Sequence, residues 1–367
     1  MGKKKRSDTG YDYMILVPTI LLIALGLIAV YSASSNLAEH RLGDSYFYLK
    51  KQLAFCITGI GLMIGTRYIP CTLYGRLAYP LLFISLLLLG VVLIPGVGRK
   101  VGGACRWIGL GGISFQPSEA AKFALAVYMA YSISKKGKDM RTFSRGLLPH
   151  LLVAGIFMGL IVLQPDLGSA VIIGAWTLII LFVGGVRIYQ LFCLFFLSVP
   201  VLAWFVWQAE YRVQRWLAFR NPWEDPAGNG FQIIHSFLAF GSGGIFGAGL
   251  GNGKQKLFYL PEPHTDFALS IIGEELGLVG VSAVIILFGI LIAGGIRSGL
   301  KAKDLYSTYL AVGLTSFIGL QVLINMGVVM GLLPTKGLTL PLISYGGSSL
   351  LVTLTVIGVL LNISARS

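Results

Sequence analysis

Charge is scarce in this sequence, and acidic charge scarcest: 12% of the 367 residues are charged, with 15 Asp plus Glu against 29 Lys plus Arg. A soluble globule carries about twice that share, so a soluble domain is excluded. Cysteine is also rare. Cys56, Cys71, Cys105 and Cys193 show no CxxC or metal-ligand spacing, which argues against a disulfide framework. His40, His150, His235 and His264 are scattered, so spacing gives no zinc site either. A phosphate loop is missing as well. The glycine-rich stretch 241–254 would need Gly at Ala248 and Ser or Thr at Gln255 to satisfy GxxxxGK[ST], and flexible packing of an external loop accounts for it better.

What is abundant is apolar sequence: 55% hydrophobic residues and a mean hydropathy of +0.79. At 1.5 Å per residue, runs of about 18 to 25 residues cross the hydrocarbon core as helices, and barrel strands would be far shorter. The expected architecture is an all-α integral membrane protein, a single polytopic unit over 1–367. About ten transmembrane helices are expected, at 13–33, 52–69, 76–95, 117–134, 147–164, 167–184, 188–208, 267–296, 306–331 and 346–364. The 48 glycines suit close helix packing. Ser32-Ala33-Ser34 resembles a cleavage site, but the apolar run before it is too long for a signal peptide, so the first segment reads as an uncleaved span. With both termini cytoplasmic, 16 of the 29 Lys and Arg fall on the cytoplasmic side in short segments, in agreement with the positive-inside rule.

Three loops on the other side have content. The largest, 209–266, lies between spans 7 and 8. It opens with YRVQRWLAFRNPWEDP, whose aromatics among arginines suit an interfacial helix. Next, 230–246 is apolar but too short to span, so it reads as a re-entrant or surface-lying helix. The glycine stretch then leads to Lys254, Lys256 and YLPEPHTDFALSIIGEELG, where a polar segment runs directly into an apolar helix. The other two loops are 96–116, with Arg99, Lys100, Arg106 and Trp107, and 332–345, where two prolines and Lys336 interrupt the hydrophobicity.

Several residues stand out against that frame. Glu119 and Lys122 are three apart, so they share a helix face and can pair, either as a packing device or as part of a site. Asp166 precedes a span directly and reads as its N-cap. Glu274 and Glu275 lie too deep to be interfacial, so at least one faces a polar interior. Asp266, flanked by Glu262, His264 and Thr265, sits at a helix start. Thr265 or Asp266 as a cap and Asp266 as a general base are about equally supported by these residues alone.

Five motifs occur in order: QPSEAAK (116–122), QPDLGS (164–169), NPWEDPAGNGFQ (221–232), YLPEPHTDFALSIIGEELG (259–277) and LPTKGLTLPLISYGGSS (333–349). Over nearly its entire length the chain resembles the SEDS family of peptidoglycan polymerases, the FtsW/RodA group of ten-span bacterial membrane proteins. NPWEDP and KGLTLPLISYGGSS look like the division branch. The resemblance implies polymerisation of lipid II on the outer face of the cytoplasmic membrane, at the division septum, with Asp266 as the essential acid and Glu119 with Lys122 as an ion pair beside the cavity. It also implies a class B penicillin-binding protein, an FtsI-like transpeptidase, as partner, together with other divisome proteins.

Forming a β-1,4 linkage from an α-linked glycosyl pyrophosphate inverts the anomeric carbon and calls for one base. The departing pyrophosphate wants cations or a metal. Arg212, Arg215, Lys254, Lys256 and Lys336 are the expected cations, with contact to anionic membrane lipids as their other use. A divalent Mg or Mn ion bridging Asp266 and pyrophosphate is compatible with the sequence, though no ligand cluster calls for it. Nucleic acid is not expected as a partner. Two rivals use the same frame: a lipid II flippase, and a RodA-like polymerase of cell elongation. A scaffold for division partners is a third, under which Asp266 would be dispensable.

Overall fold

A computed structural model describes residues 11–101, 104–110, 113–256 and 263–367. Helices dominate, and seven are long and apolar enough to cross a membrane. They are α1 (Tyr13–Leu42), α2 (Phe47–Tyr68), the segment Phe143–Leu163 that contains α6 (Leu148–Leu163), α8 (Ile188–Trp207), α11 (Ala268–Lys301), α12 (Leu305–Val329) and α13 (Gly347–Arg366). Two shorter apolar helices, α4 (Ala78–Val91) and α7 (Leu167–Val183), and the Glu119-bearing α5 (Pro117–Lys136) occupy the remaining expected spans. A short helix, α3 (Cys71–Arg76), precedes α4.

The caps follow from local chemistry. Asp12 accepts the Met14 N–H at 3.0 Å and starts α1, and Asp166 accepts the Ser169 N–H at 3.1 Å and starts α7, as its position after a proline predicts. Inside the bundle, lipid is as apolar as leucine, so helices are held by close packing and interhelical hydrogen bonds. Trp176, fully buried, donates its indole N–H to Gly313 O at 2.8 Å. Gly358 lies so close to Met63 and Thr66 that any Cβ there would overlap them, which draws α13 against α2. By contrast Gly61, Gly65, Gly155 and Gly159 have nothing of this chain within 4 Å of where a Cβ would stand.

Ser364 Oγ donates to Asp12 Oδ2 at 2.7 Å, which puts the start of α1 and the end of α13 at one end of the bundle. The loops of interest gather at the other. There 98–115 is not irregular, as a purely helical architecture would have it. It forms a three-stranded antiparallel sheet of β1 (Gly98–Val101), β2 (Ala104–Leu110) and β3 (Ile113–Phe115), with Arg99 opposite Trp107 and Ile108 opposite Phe115. The sheet reaches the start of α13 through Ser348, whose Oγ accepts the Gln116 N–H at 3.0 Å.

The loop between α8 and α11 contains α9 (Glu210–Arg220) and α10 (Phe231–Gly243). Ser236 on α10 donates to Val329 O at 2.6 Å and pairs with Ser270 Oγ at 2.8 Å, so α10 is packed on α11 and α12. Two expectations are corrected here. The eighth span is not one continuous helix from 267 to 296: Gly277, with φ +65°, ψ −161°, breaks α11 into two helical pieces. Nor is the glycine stretch a flexible external loop. Ala248 and Gly249 donate backbone N–H groups to Glu274 O and Glu275 O at 2.9 and 3.1 Å, while Leu278 and Val279 donate to Gly244 O and Ile245 O. Gly247 and Gly277 permit that backbone-to-backbone approach, because a Cβ on either would overlap the other segment.

Candidate functional site

The turn 263–267 carries Asp266 into α11. On one side it is anchored by His264, which is buried with its ring centroid 4.5 Å from Tyr48 and 5.5 Å from Tyr345, and whose carbonyl accepts the Tyr345 N–H at 2.8 Å. Burial, assisted by the Arg41 charge, pushes the imidazole down to about 4, so His264 is neutral at neutral pH. Thr265 beside it is half-buried, and Glu262 lies outside the described residues. The N-cap position of α11 is Phe267, which makes no side-chain capping bond.

Asp266 is half-buried and opens on a cleft lined by Gln232 of α10, Asn325 and Val328 of α12, Arg215 of α9, and Thr335 to Leu338. Gly337, at φ +67°, lets the backbone come close: a Cβ there would stand 3.4 Å from Asp266 Oδ2. A second cleft adjoins the first and shares Arg215, Thr335 and Lys336 with it. Its further lining includes Arg106, Tyr211, Arg212, Trp216 and the 165–168 turn. Arg212 donates to Phe205 O at 2.8 Å and Tyr211 OH at 2.9 Å. Arg106 donates to Gln164 O at 3.4 Å and to Pro165 O, and stands 3.9 Å from Asp166 Oδ2. Burial lowers the proton affinity of Lys336, which has no carboxylate within ion-pair distance among the described residues.

The structure therefore brings Asp266, Arg215 and Lys336 together, with Arg212 in the adjoining cleft. It does not bring Lys254 and Lys256 there. Lys256 is buried and binds Glu275 Oε1 at 2.7 Å, Ser32 Oγ at 2.9 Å and Gly251 O at 2.7 Å. Lys254 has an exposed side chain, and its backbone N–H goes to Glu274 Oε1 at 2.6 Å. These bonds name the partners of Glu274 and Glu275. Glu119 and Lys122 form a buried ion pair at 2.6 Å; they line neither cleft, but Lys122 Nζ also reaches Gln321 Oε1 at 3.3 Å. Among the described residues, no group of three or more His, Cys, Asp or Glu side chains gathers as a metal site.

Sequence reasoning noted Arg106 and Gln232 without giving them a site role, and passed over Gln321 and Asn325. For the last two a signal was available, since polar side chains inside an apolar span are costly and call for partners. Chemically, one carboxylate and the cations Arg215 and Lys336 line the same cleft. That pairs a proton acceptor with a place for an anion.

Residues 12–367 match the family described as Cell cycle protein, FtsW/RodA/SpoVE. The chain is 47% identical over 366 residues to the probable peptidoglycan glycosyltransferase FtsW of Geobacter sulfurreducens, covering 100% of this chain and 98% of that one. It is 44% identical over 367 residues to stage V sporulation protein E of Bacillus subtilis, covering 100% of both. Among solved structures, a peptidoglycan synthase complex described as coordinating polymerization and crosslinking superposes with a TM-score of 0.80 at 32% identity, over 97% of this chain and 98% of that one. The rod shape determining protein RodA of Thermus thermophilus gives 0.72 at 30% identity, over 98% of each chain. With its whole length matched in sequence and in fold, the chain belongs to the FtsW/RodA/SpoVE family.

Proposed function

We propose that this chain is a peptidoglycan glycosyltransferase that polymerises lipid II into β-1,4 glycan strands, with Asp266 as general base. The observation that carries this is the cleft in which Asp266 faces Arg215 and Lys336. Inversion at an α-linked anomeric carbon needs the acceptor 4-hydroxyl to lose its proton as the new bond forms, and Asp266 Oδ2 takes it. The bond to pyrophosphate breaks, and the leaving group departs as an anion that needs no proton. Lys336, Arg215 and Arg212 hold that charge. The adjoining clefts share Arg215 and Lys336, so pyrophosphate bound in the second cleft leaves the sugar-bearing end toward Asp266.

Were a divalent ion to take part, Asp266 would be the residue to hold it, since one carboxylate with substrate phosphates and water is a common donor set for Mg²⁺. Such an ion would add positive charge at the leaving group, the role the cations already serve. The site would face the outer side of the bacterial cytoplasmic membrane, both termini the cytoplasm. The family's description as a cell cycle protein supports a role in division, and the likeness to a complex that coordinates polymerization and crosslinking supports a class B transpeptidase partner that cross-links the product.

The test is polymerisation of lipid II by purified protein, alone and with the transpeptidase. Asp266→Asn should lower the rate by about 10² to 10⁴ with the protein still folded. Native-rate polymerisation by that variant sinks the assignment of the base. Transbilayer movement of lipid II with no glycan formed would identify a transporter instead.

A further inference from the structure

Neither proton transfer nor pyrophosphate binding uses the polar side chains of α12. Gln321 and Asn325 stand one turn apart on this apolar helix, at 6% and 1% exposure. That spacing places both on one face, and the face is turned toward the loop segments of the site. The Asn325 amide donates both to Asp266 O, at 3.1 Å, and to Leu338 O. An amide NH₂ carries two hydrogens, enough for both bonds. One side chain thereby joins the turn that bears the carboxylate to the segment that bears Lys336. Gln321 does something related one turn earlier. Its Nε2 donates to Thr339 O at 3.2 Å while its Oε1 accepts from Lys122 Nζ at 3.3 Å, and Lys122 is paired with Glu119.

We propose that Asn325 is a positioning residue that sets the separation between Asp266 and Lys336, and that Gln321 carries the Glu119–Lys122 pair into the same segment. The inference rests on the assignment of Asp266 as base. Gln321 lines neither cleft, and the Asn325 amide hydrogens are spent on the two backbone carbonyls. The segments they tie are loops, with no helical ladder of their own to hold them. A displacement of about 1 Å between base and leaving-group cation can cost about 10²-fold in rate, so the tether matters more to turnover than to binding. The Glu119–Lys122 pair then has a function although it lines neither cleft: it fixes the orientation of the Gln321 amide, so that Oε1 faces the ammonium and Nε2 faces Thr339.

The experiment uses the full chain in nanodiscs and compares wild type with Asn325→Ala, Asn325→Leu and Gln321→Ala by hydrogen exchange and by lipid II kinetics. Leu fills the Asn volume without a donor, so it separates lost hydrogen bonds from an empty cavity. Both Asn325 variants should speed amide exchange about tenfold in 263–267 and in 335–340, and leave α5 and α13 protected. Gln321→Ala should do so in 335–340 alone. Both Asn325 variants should lower kcat about tenfold or more, with KM changed less than about threefold. The tether is refuted by unchanged exchange in 263–267, by exchange raised alike throughout the bundle, or by native kcat in both Asn325 variants. If Asp266→Asn polymerises at the native rate, the base assignment falls, and the exchange pattern still decides whether Asn325 joins the two segments.

Discussion

Lys336 stands half-buried where the two clefts meet, and the desolvation of its ammonium makes the proton easier to lose than on a free lysine. Its charge is present below that lowered pKa and disappears as pH rises through it. The alkaline limb of kcat/KM, which reports the free enzyme, should therefore fall at lower pH than an ordinary lysine would give. Lys336→Arg, charged throughout the accessible range, should move that limb upward, and Lys336→Met should lower kcat/KM at all pH values. A pH–rate profile identical for wild type and the arginine variant would remove Lys336 from substrate binding. Lys336 was visible in the sequence because it interrupts apolar surroundings, and Asp266 because it stands where a polar segment runs into an apolar helix. What the sequence left open for Asp266 was capping, and the N-cap position of α11 falls one residue later, at Phe267.

At the level of elements, the break in α11 explains residues that sequence alone misassigned. Lys256 looked like a substrate cation because it is basic and lies in the large loop. Its partner, Glu275, is nineteen positions later on a segment that reads as an unbroken span, so no local pattern joins them. The same holds for the glycines of 241–254, whose use is an approach to backbone distant in sequence. Removing one member of a buried pair leaves an uncompensated charge at a cost of about 3 to 5 kcal/mol. Lys256→Met should therefore lower the thermal midpoint of the purified protein substantially, and adding Glu275→Gln should recover most of the loss. Lys254→Met, at an exposed side chain, should change stability by less than about 0.5 kcal/mol. Were Lys256→Met as stable as wild type yet unable to bind lipid II, the structural role of the Lys256–Glu275 pair would be wrong and the pyrophosphate role right.

For the whole molecule, helical spans are legible because each needs only length and hydropathy, and seven of the described helices meet both requirements at expected spans. The sheet at 98–115 was missed for the converse reason. Its strands are short and bounded by glycines, and they gain stability from one another and from docking at Ser348, not from an alternating pattern. The cleft assembly shares that origin, since its walls come from segments spread between Arg106 and Leu338. Sidedness is the remaining property that composition predicts. The site lies at the start of α11, while the end of α11, the start of α1 and the end of α13 meet at the other end of the bundle, so lipid II chemistry requires the 221–230 loop to face outward. In a background carrying Cys105→Ser and Cys193→Ser, a membrane-impermeant maleimide added to intact spheroplasts should label Ala227→Cys and spare Ser367→Cys. Opening the membrane should expose the second. The reverse pattern would put Asp266 on the cytoplasmic side, where an enzyme joining glycan strands outside the membrane cannot have its base.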